Sequence, residues 1–274
     1  MHDRDAGRAA QRVRASSVGD LAWIDNDGAP AVAPVLPLTR GEDVLLALTF
    51  DQVRWAHQLA VAGRVVLVLR DPRGTGSAFE PAAWRADVRL QIDPDGDFYQ
   101  EHLITQELRR YPPSRTLVDS PMLSREHWWY LPRLIVHLDD MVALESVPRA
   151  RTDGRDHLLA GARDGIPTVS TVRTATAAPG EGPVPVEVTG GDSPVPGPAV
   201  LFAQDASYPD LERWVGWSWR GVLRLEEEHG VLVGGIGPDR IGLPPTPGLG
   251  RRWRTHRELQ RNCRRALAAY EAQR

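Results

Sequence analysis

The chain of 274 residues contains no lysine, so all 33 of its basic residues are arginine. That absence excludes a Schiff-base lysine, a phosphate-loop lysine and a serine–lysine dyad together. The one cysteine, Cys263, excludes an internal disulfide framework and any cysteine-rich metal site. There is no run of about 20 apolar residues, the length that spans a bilayer as a helix. The N-terminal residues Met1 to Asp5 lack the apolar core of a secretory signal. Neither sign of charge dominates, and a formal net charge of −3 exerts no general pull on nucleic acid or anionic membrane. The expectation is a cytoplasmic protein that takes a small-molecule partner, and neither nucleic acid nor membrane. No Gly-x-Ser-x-Gly occurs, no Gly-x-Gly-x-x-Gly follows a strand, and the histidines show no His-x-x-x-His spacing. Serine hydrolase, Rossmann and structural-metal readings therefore have no support.

What is present is a long internal duplication. Asp27-Gly28-Ala29-Pro30 leads into the apolar alternation Val32, Val35, Leu36, Leu38, and Asp164-Gly165-Ile166-Pro167 leads into Val169 and Val172. Val44–Ala47 runs on to Asp51, Arg54 and Trp55, and Val200–Ala203 runs on to Asp210, Arg213 and Trp214. Branched apolar stretches follow, Val65–Leu69 and Val222–Leu225. A solenoid unit is about 20–50 residues. This period is longer and reads as two copies of one small domain, residues 18–148 and 157–274, able to build a site at their seam.

Local patterns fill in the elements. Residues 1–17 read as a short helix or frayed arm, and Leu21–Ile24 as a strand entering an Asp-Gly hairpin turn. Ala31–Leu38 returns as a strand, with Pro34 and Pro37 marking an edge or bulge. Asp43–Leu48 is a strand, Asp51–Ala62 a helix capped by Gly63, and Val65–Leu69 and Trp84–Ile92 are further strands. Glu101–Tyr111 and Ser124–Tyr130 read as helices, and Leu134–Leu138 and Met141–Leu144 as strands. Pro179–Pro198 reads as an insertion, either a loop excursion or a lid. Gly230–Ile236 is the last strand. Arg251–Gln273 is a helix whose stripe Trp253, Leu259, Cys263, Leu267 and Tyr270 is expected to be buried.

The order hairpin, strand, helix, strand, strand, with Asp27-Gly28-Ala29-Pro30-Ala31-Val32-Ala33-Pro34-Val35 in the first hairpin, resembles the FMN-binding split-barrel superfamily, the pyridoxamine 5′-phosphate oxidase-like proteins. The resemblance implies a mainly β protein with helices: two tandem split barrels forming a pseudo-dimer, plus a C-terminal helix. It implies a flavin between the halves, FMN or a deazaflavin, with haem as a third possibility. The chain would act as a monomer or as a homodimer. Thr49 matches the family's threonine, while Val53, Arg54 and Trp55 stand where Ser-Arg-Lys would, leaving Arg54 as the phosphate candidate near a helix N-terminus. Arg213 is its counterpart in the second copy. Val35 and Leu36 would lie along the flavin ring, and Trp129 and Arg133 would approach it. Trp55 stands among these cofactor candidates. His127 and His57 are candidate axial ligands in a haem-binding version. No residue is assigned to catalysis. Three functions stay open: a flavin-dependent oxidoreductase, a duplicated barrel that has lost its flavin and binds a small molecule or a protein partner, and a haem-binding or haem-degrading member.

Overall fold

The computed structural model describes residues 2–75, 79–114, 128–179, 182–226, 229–238 and 241–273. The protein is mainly β with helices, two tandem barrels followed by a C-terminal helix. Helix α1 (His2–Ala15) precedes β1 (Gly19–Ile24), β2 (Pro30–Val35), β3 (Leu38–Arg40) and β4 (Asp43–Thr49). Helix α2 (Val53–Ala62) leads to β5 (Arg64–Leu69) and β6 (Ala82–Asp93), and α3 (Asp97–His102) and α4 (Ile104–Arg110) precede β7 (Arg133–Ala143). These seven strands form one antiparallel sheet in the order β2-β1-β5-β6-β7-β4-β3. The second unit contains β8 (Asp156–Arg163), β9 (Ile166–Arg173), β10 (Val184–Gly191), β11 (Gly197–Ala206), β12 (Trp214–Glu226) and β13 (His229–Ile236), closed in the order β10-β13-β12-β11-β8-β9. Helix α5 (Leu249–Glu271) is the last element.

The run Val65–Leu69 is apolar at every position because the strand is buried on both faces. Val65, Leu67 and Leu69 point into the first core, whereas Val66 and Val68 join Ala22 and Ala83 at the seam. Strand β11 uses the same alternation. Ala199, Leu201 and Ala203 fill the second core, while Val200 and Phe202 meet the first unit at the seam with Leu158, Ala160 and Val169. A buried polar layer continues this contact. Arg70 Nε donates to Asp20 at 2.6 Å, with both side chains almost wholly buried, and Arg70 Nη1 donates to the Asp156 carbonyl at 3.0 Å. Gln204 Nε2 reaches back to Asp20, and Arg73 lies between Asp71 and Asp205 at 2.7 and 2.6 Å.

The sheet order moves the internal repeat by one element. Strand β5 pairs with β1 and β6, and β11 pairs with β8 and β12, so β11 is the counterpart of β5. Val200–Ala203 therefore corresponds to Val65–Leu69 and not to Val44–Ala47. The segment read as an insertion carries β10, which pairs with both β9 and β13. Among the described residues the second unit has no counterpart of α2. Arg213 lies in the chain leading into β12, not at a helix start.

Other differences are local. The expected helix over 101–111 is two short ones, α3 and α4, broken at Leu103, and the Asp93 carboxylate accepts the N–H of Tyr99 at 2.9 Å in the first. The two expected strands after Leu134 are one, β7, which passes through Asp140 at a φ of 49°. Most of the helix expected over 124–130 lies outside the described residues; Trp128–Tyr130 form a 3-10 turn. Gly63 does cap α2, with a φ of 69° and its N–H donating to the Leu59 carbonyl. Helix α5, which chain order puts with the second unit, packs on the first core through Cys263, Leu259, Leu267 and Tyr270. Trp253 does not join that stripe: it is 60% exposed, with the Arg257 guanidinium 4.0 Å from its ring centre.

Candidate functional site

A cavity of about 760 Å³ opens where the first barrel fails to close. Strand β2 ends at Val35 on one edge of the sheet, and β3 begins at Leu38 on the opposite edge. Between them Leu36 and Pro37 cross without pairing, and proline has no N–H to offer a ladder. In the second unit the equivalent edges do pair: Glu187 with Arg173, and Val188 with Val172. That ladder closes the second barrel, so the splitting that makes the cavity occurs in the first unit.

Three parts of the chain build the walls. The first barrel supplies Pro34, Val35 and Leu36, the β4 residues Leu46 to Thr49, and Trp55 of α2. The second unit supplies Asp210 and Glu212 with Trp214, Val215 and Gly216. Helix α5 covers the opening with Arg252, Thr255, His256 and Leu259. Trp214 is held by its indole N–H, which donates to Gln204 Oε1 at 2.7 Å, and its ring meets Tyr111 across the seam at 6.4 Å between centres. Gly216 has to be small, because a Cβ there would sit 2.9 Å from the Phe202 ring and 3.2 Å from Pro34.

One wall is a buried polar cluster. Glu107 Oε1 accepts the Tyr130 hydroxyl at 2.6 Å and the Ser114 hydroxyl at 2.7 Å. Arg133 is fully buried, with its guanidinium carbon 3.9 Å from the Tyr99 ring centre and 4.0 Å from that of Tyr130. Its Nη1 donates to the Pro132 carbonyl at 3.1 Å, and its Nη2 lies 3.9 Å from Glu107, in ion-pair range but beyond a hydrogen bond. Nε and Nη2 have no hydrogen-bond acceptor among the described residues. Burial disfavours the charged guanidinium, but Tyr99, Tyr130 and Glu107 outweigh it and hold the group more basic than usual. Burial, then Glu107, pushes the Tyr130 phenol well above its ordinary range, so it remains a neutral donor. At the opposite rim Arg252 pairs with Glu212 and donates to the Pro247 carbonyl at 3.0 Å.

Five of the candidates from sequence, Val35, Leu36, Thr49, Trp55 and Arg133, line this cavity. Three do not. Trp129 is buried in the first core behind the wall, its ring edge against His256 at 5.5 Å. Arg54 is exposed on α2 and outside the cavity, because the helix turns it away from the face that carries Trp55. Arg213 is also outside, although its neighbours Asp210 and Glu212 are on the wall. His57 is exposed and His127 lies outside the described residues. Among the described residues no group of three or more His, Cys, Asp or Glu gathers as a metal site. Sequence reasoning missed Glu107, Tyr111 and His256. Glu107 and Tyr111 sit four apart on one short helical stretch, a spacing that shares a face. Nothing local marks His256 on α5.

The fold and cavity together define a two-barrel β protein with a ligand-sized opening at its seam. No family model matches the chain, and no curated protein matches it. Solved structures do match, each over about half of it. A protein related to general stress protein 26, of the pyridoxinephosphate oxidase family, from Clostridium acetobutylicum is 10% identical over 62% of this chain and 95% of its own, with a TM-score of 0.33. An FMN-binding protein from Syntrophomonas wolfei is 14% identical over 52% and 87%, with a TM-score of 0.32. HutZ, a haem storage protein from Vibrio cholerae, is 12% identical over 48% and 87%, with a TM-score of 0.32. No helix among the described residues is long and apolar enough to cross a membrane.

Proposed function

We propose that the seam cavity binds a flat ring system of the flavin or deazaflavin class, and that the chain is an oxidoreductase acting through it on a small molecule. The observation that carries this reading is the cavity itself. Its volume of about 760 Å³ lies within the roughly 300–1,000 Å³ usual for small-molecule sites. Its walls are largely apolar strand and aromatic surface, with Trp55, Tyr111 and Trp214 among the lining side chains. The orphaned N–H groups of Arg133 border it and fit a ring that presents oxygen or nitrogen acceptors. A bound flavin or deazaflavin supplies hydride transfer. The chain's own residues then position the ring: the Leu36-Pro37 crossing leaves room for its edge, the aromatic side chains stack or flank it, and α5 excludes water from above. No side-chain acid or base is needed for that role.

A single chain supplies both halves of the site, so the proposal takes the monomer as the working unit. One buried cysteine and no disulfide suit a reducing compartment, and the cytoplasm is the location we assign. Of the haem-ligand candidates, His57 is exposed and outside the cavity, and His127 lies outside the described residues. The test is direct. Full-length protein is titrated with lumiflavin, riboflavin, FMN and a deazaflavin while ligand fluorescence is followed. Saturable quenching by at least one is expected, and its loss in Trp214→Ala places the ring at the seam. A protein that takes up none of them leaves the non-catalytic binding reading in front.

A further inference from the structure

The ring part and the phosphate part of a flavin nucleotide make separate demands on a site, and the cavity meets only the first. A phosphate needs unengaged cationic or backbone N–H donors. The residue that sequence reading assigns to it, Arg54, is exposed and outside the cavity. Among the described residues two guanidiniums line the cavity, and neither presents an open donor to a phosphate. Arg133 has no exposed surface and sits behind the rings of Tyr99 and Tyr130, and Arg252 is committed to Glu212. Against these stand three carboxylates on the same walls, Glu107, Asp210 and Glu212. Asp210 is held ionised by the Ser207 hydroxyl and the Glu212 backbone N–H, which lower its pKa. A dianion placed among them meets repulsion that a partly enclosed cavity screens poorly.

We infer that the seam site selects a ring ligand without a phosphate: a riboflavin-like or other uncharged or weakly charged planar molecule, with FMN disfavoured. This rests on the ring-binding reading above and deepens it. The sequence carries the same message in a form visible only after folding. Trp55, the residue after Arg54, lines the cavity and gives it an aromatic wall, while Arg54 is left outside.

The experiment compares the affinities of full-length protein for riboflavin and FMN by fluorescence quenching at low and high salt. Riboflavin is expected to bind at least as tightly as FMN at low salt, the two converging as salt screens the carboxylates. FMN binding about ten-fold or more tighter than riboflavin overturns the inference while leaving ring binding intact. Failure of both ligands to bind removes ring binding and this inference with it. The variant Glu212→Gln supplies a gain-of-function arm, because it removes one carboxylate and releases Arg252. It is expected to shift the FMN-to-riboflavin affinity ratio about three-fold or more toward FMN, in the range of a single screened charge pair. An unchanged ratio in a variant that still binds riboflavin counts against the inference.

Discussion

Arg133 and Arg54 show how far burial changes what one residue type does. Both were cofactor candidates, yet one has no solvent contact and the other faces water on α2. Arg54→Ala is accordingly expected to leave ligand affinity within about two-fold of wild type, as for other exposed charges; equilibrium titration checks it. His157 gives a prediction of a different kind. Its Nδ1 lies 2.8 Å from the Arg155 carbonyl and its Nε2 3.3 Å from that of Ala177, inside a wall that includes Trp219. Burial is the largest influence and lowers its pKa from 6.5 to about 4. The unfolded chain therefore binds more protons than the folded one between those values, and stability falls as pH drops from 6.5 toward 4. The full loss is about 3 kcal/mol. Urea unfolding at pH 7, 6 and 5 should show a shallower decline for His157→Asn, which retains a donor near the Nδ1 position. Equal slopes for the two proteins would refute this account.

Helix α5 is the element whose role was least legible from its sequence. Its arginine-rich surface reads as a solvated face, and that is correct for most of its length. Its apolar stripe is readable too, from Leu259 through Tyr270. What no periodicity can say is which core receives that stripe, because periodicity reports a face and not a partner. The same limit explains the repeat's shift by one element. A run such as Val200–Ala203 announces a strand buried on both sides, but β4 and β5 make equally good matches until the ladder is seen. Strand β10 was hidden differently: Val184, Val186 and Val188 alternate as a strand should, yet the prolines and glycines around them read as loop. Cys263 offers a probe of α5. It is buried, and burial is the main cause that pushes its thiol up to about 11. At pH 8 the native thiol should alkylate at least about a hundred-fold more slowly than in the denatured chain. Leu259→Asp, which puts a charge between α5 and the first core, should restore fast labelling and weaken ligand binding together. Slow labelling in that variant would show that α5 is held by other contacts.

The two units of the whole molecule share a buried apolar seam and a buried polar one. Removing a partner from a buried pair leaves an uncompensated charge, which costs about 3–5 kcal/mol. Asp20→Ala strands Arg70 in this way and also takes an acceptor from Gln204, which orients Trp214 on the cavity wall. Expected outcomes are a loss of that size in urea unfolding and weaker ligand binding, although Asp20 does not line the cavity. Wild-type unfolding should be one transition seen alike by fluorescence and circular dichroism. Two separated transitions would mean that the seam does not couple the units. The duplicated architecture was legible because the Asp-Gly hairpins recur, and Val35 and Leu36, picked out by the resemblance, line the cavity. Arg54's place outside the cavity was not legible, since it depends on which way α2 turns it, nor were Asp210 and Glu212 on the wall, which the second unit brings.

The ladder between β9 and β10 has one more consequence. A homodimer of identical barrels must present its grooves in pairs, related by an exact twofold axis. Covalent fusion lifts that obligation: the tether keeps the second unit at high effective concentration whatever its sequence becomes. With that unit sealed, titration should follow a simple hyperbola with one equivalent of ligand per chain and no cooperativity. Calorimetry reads that stoichiometry directly.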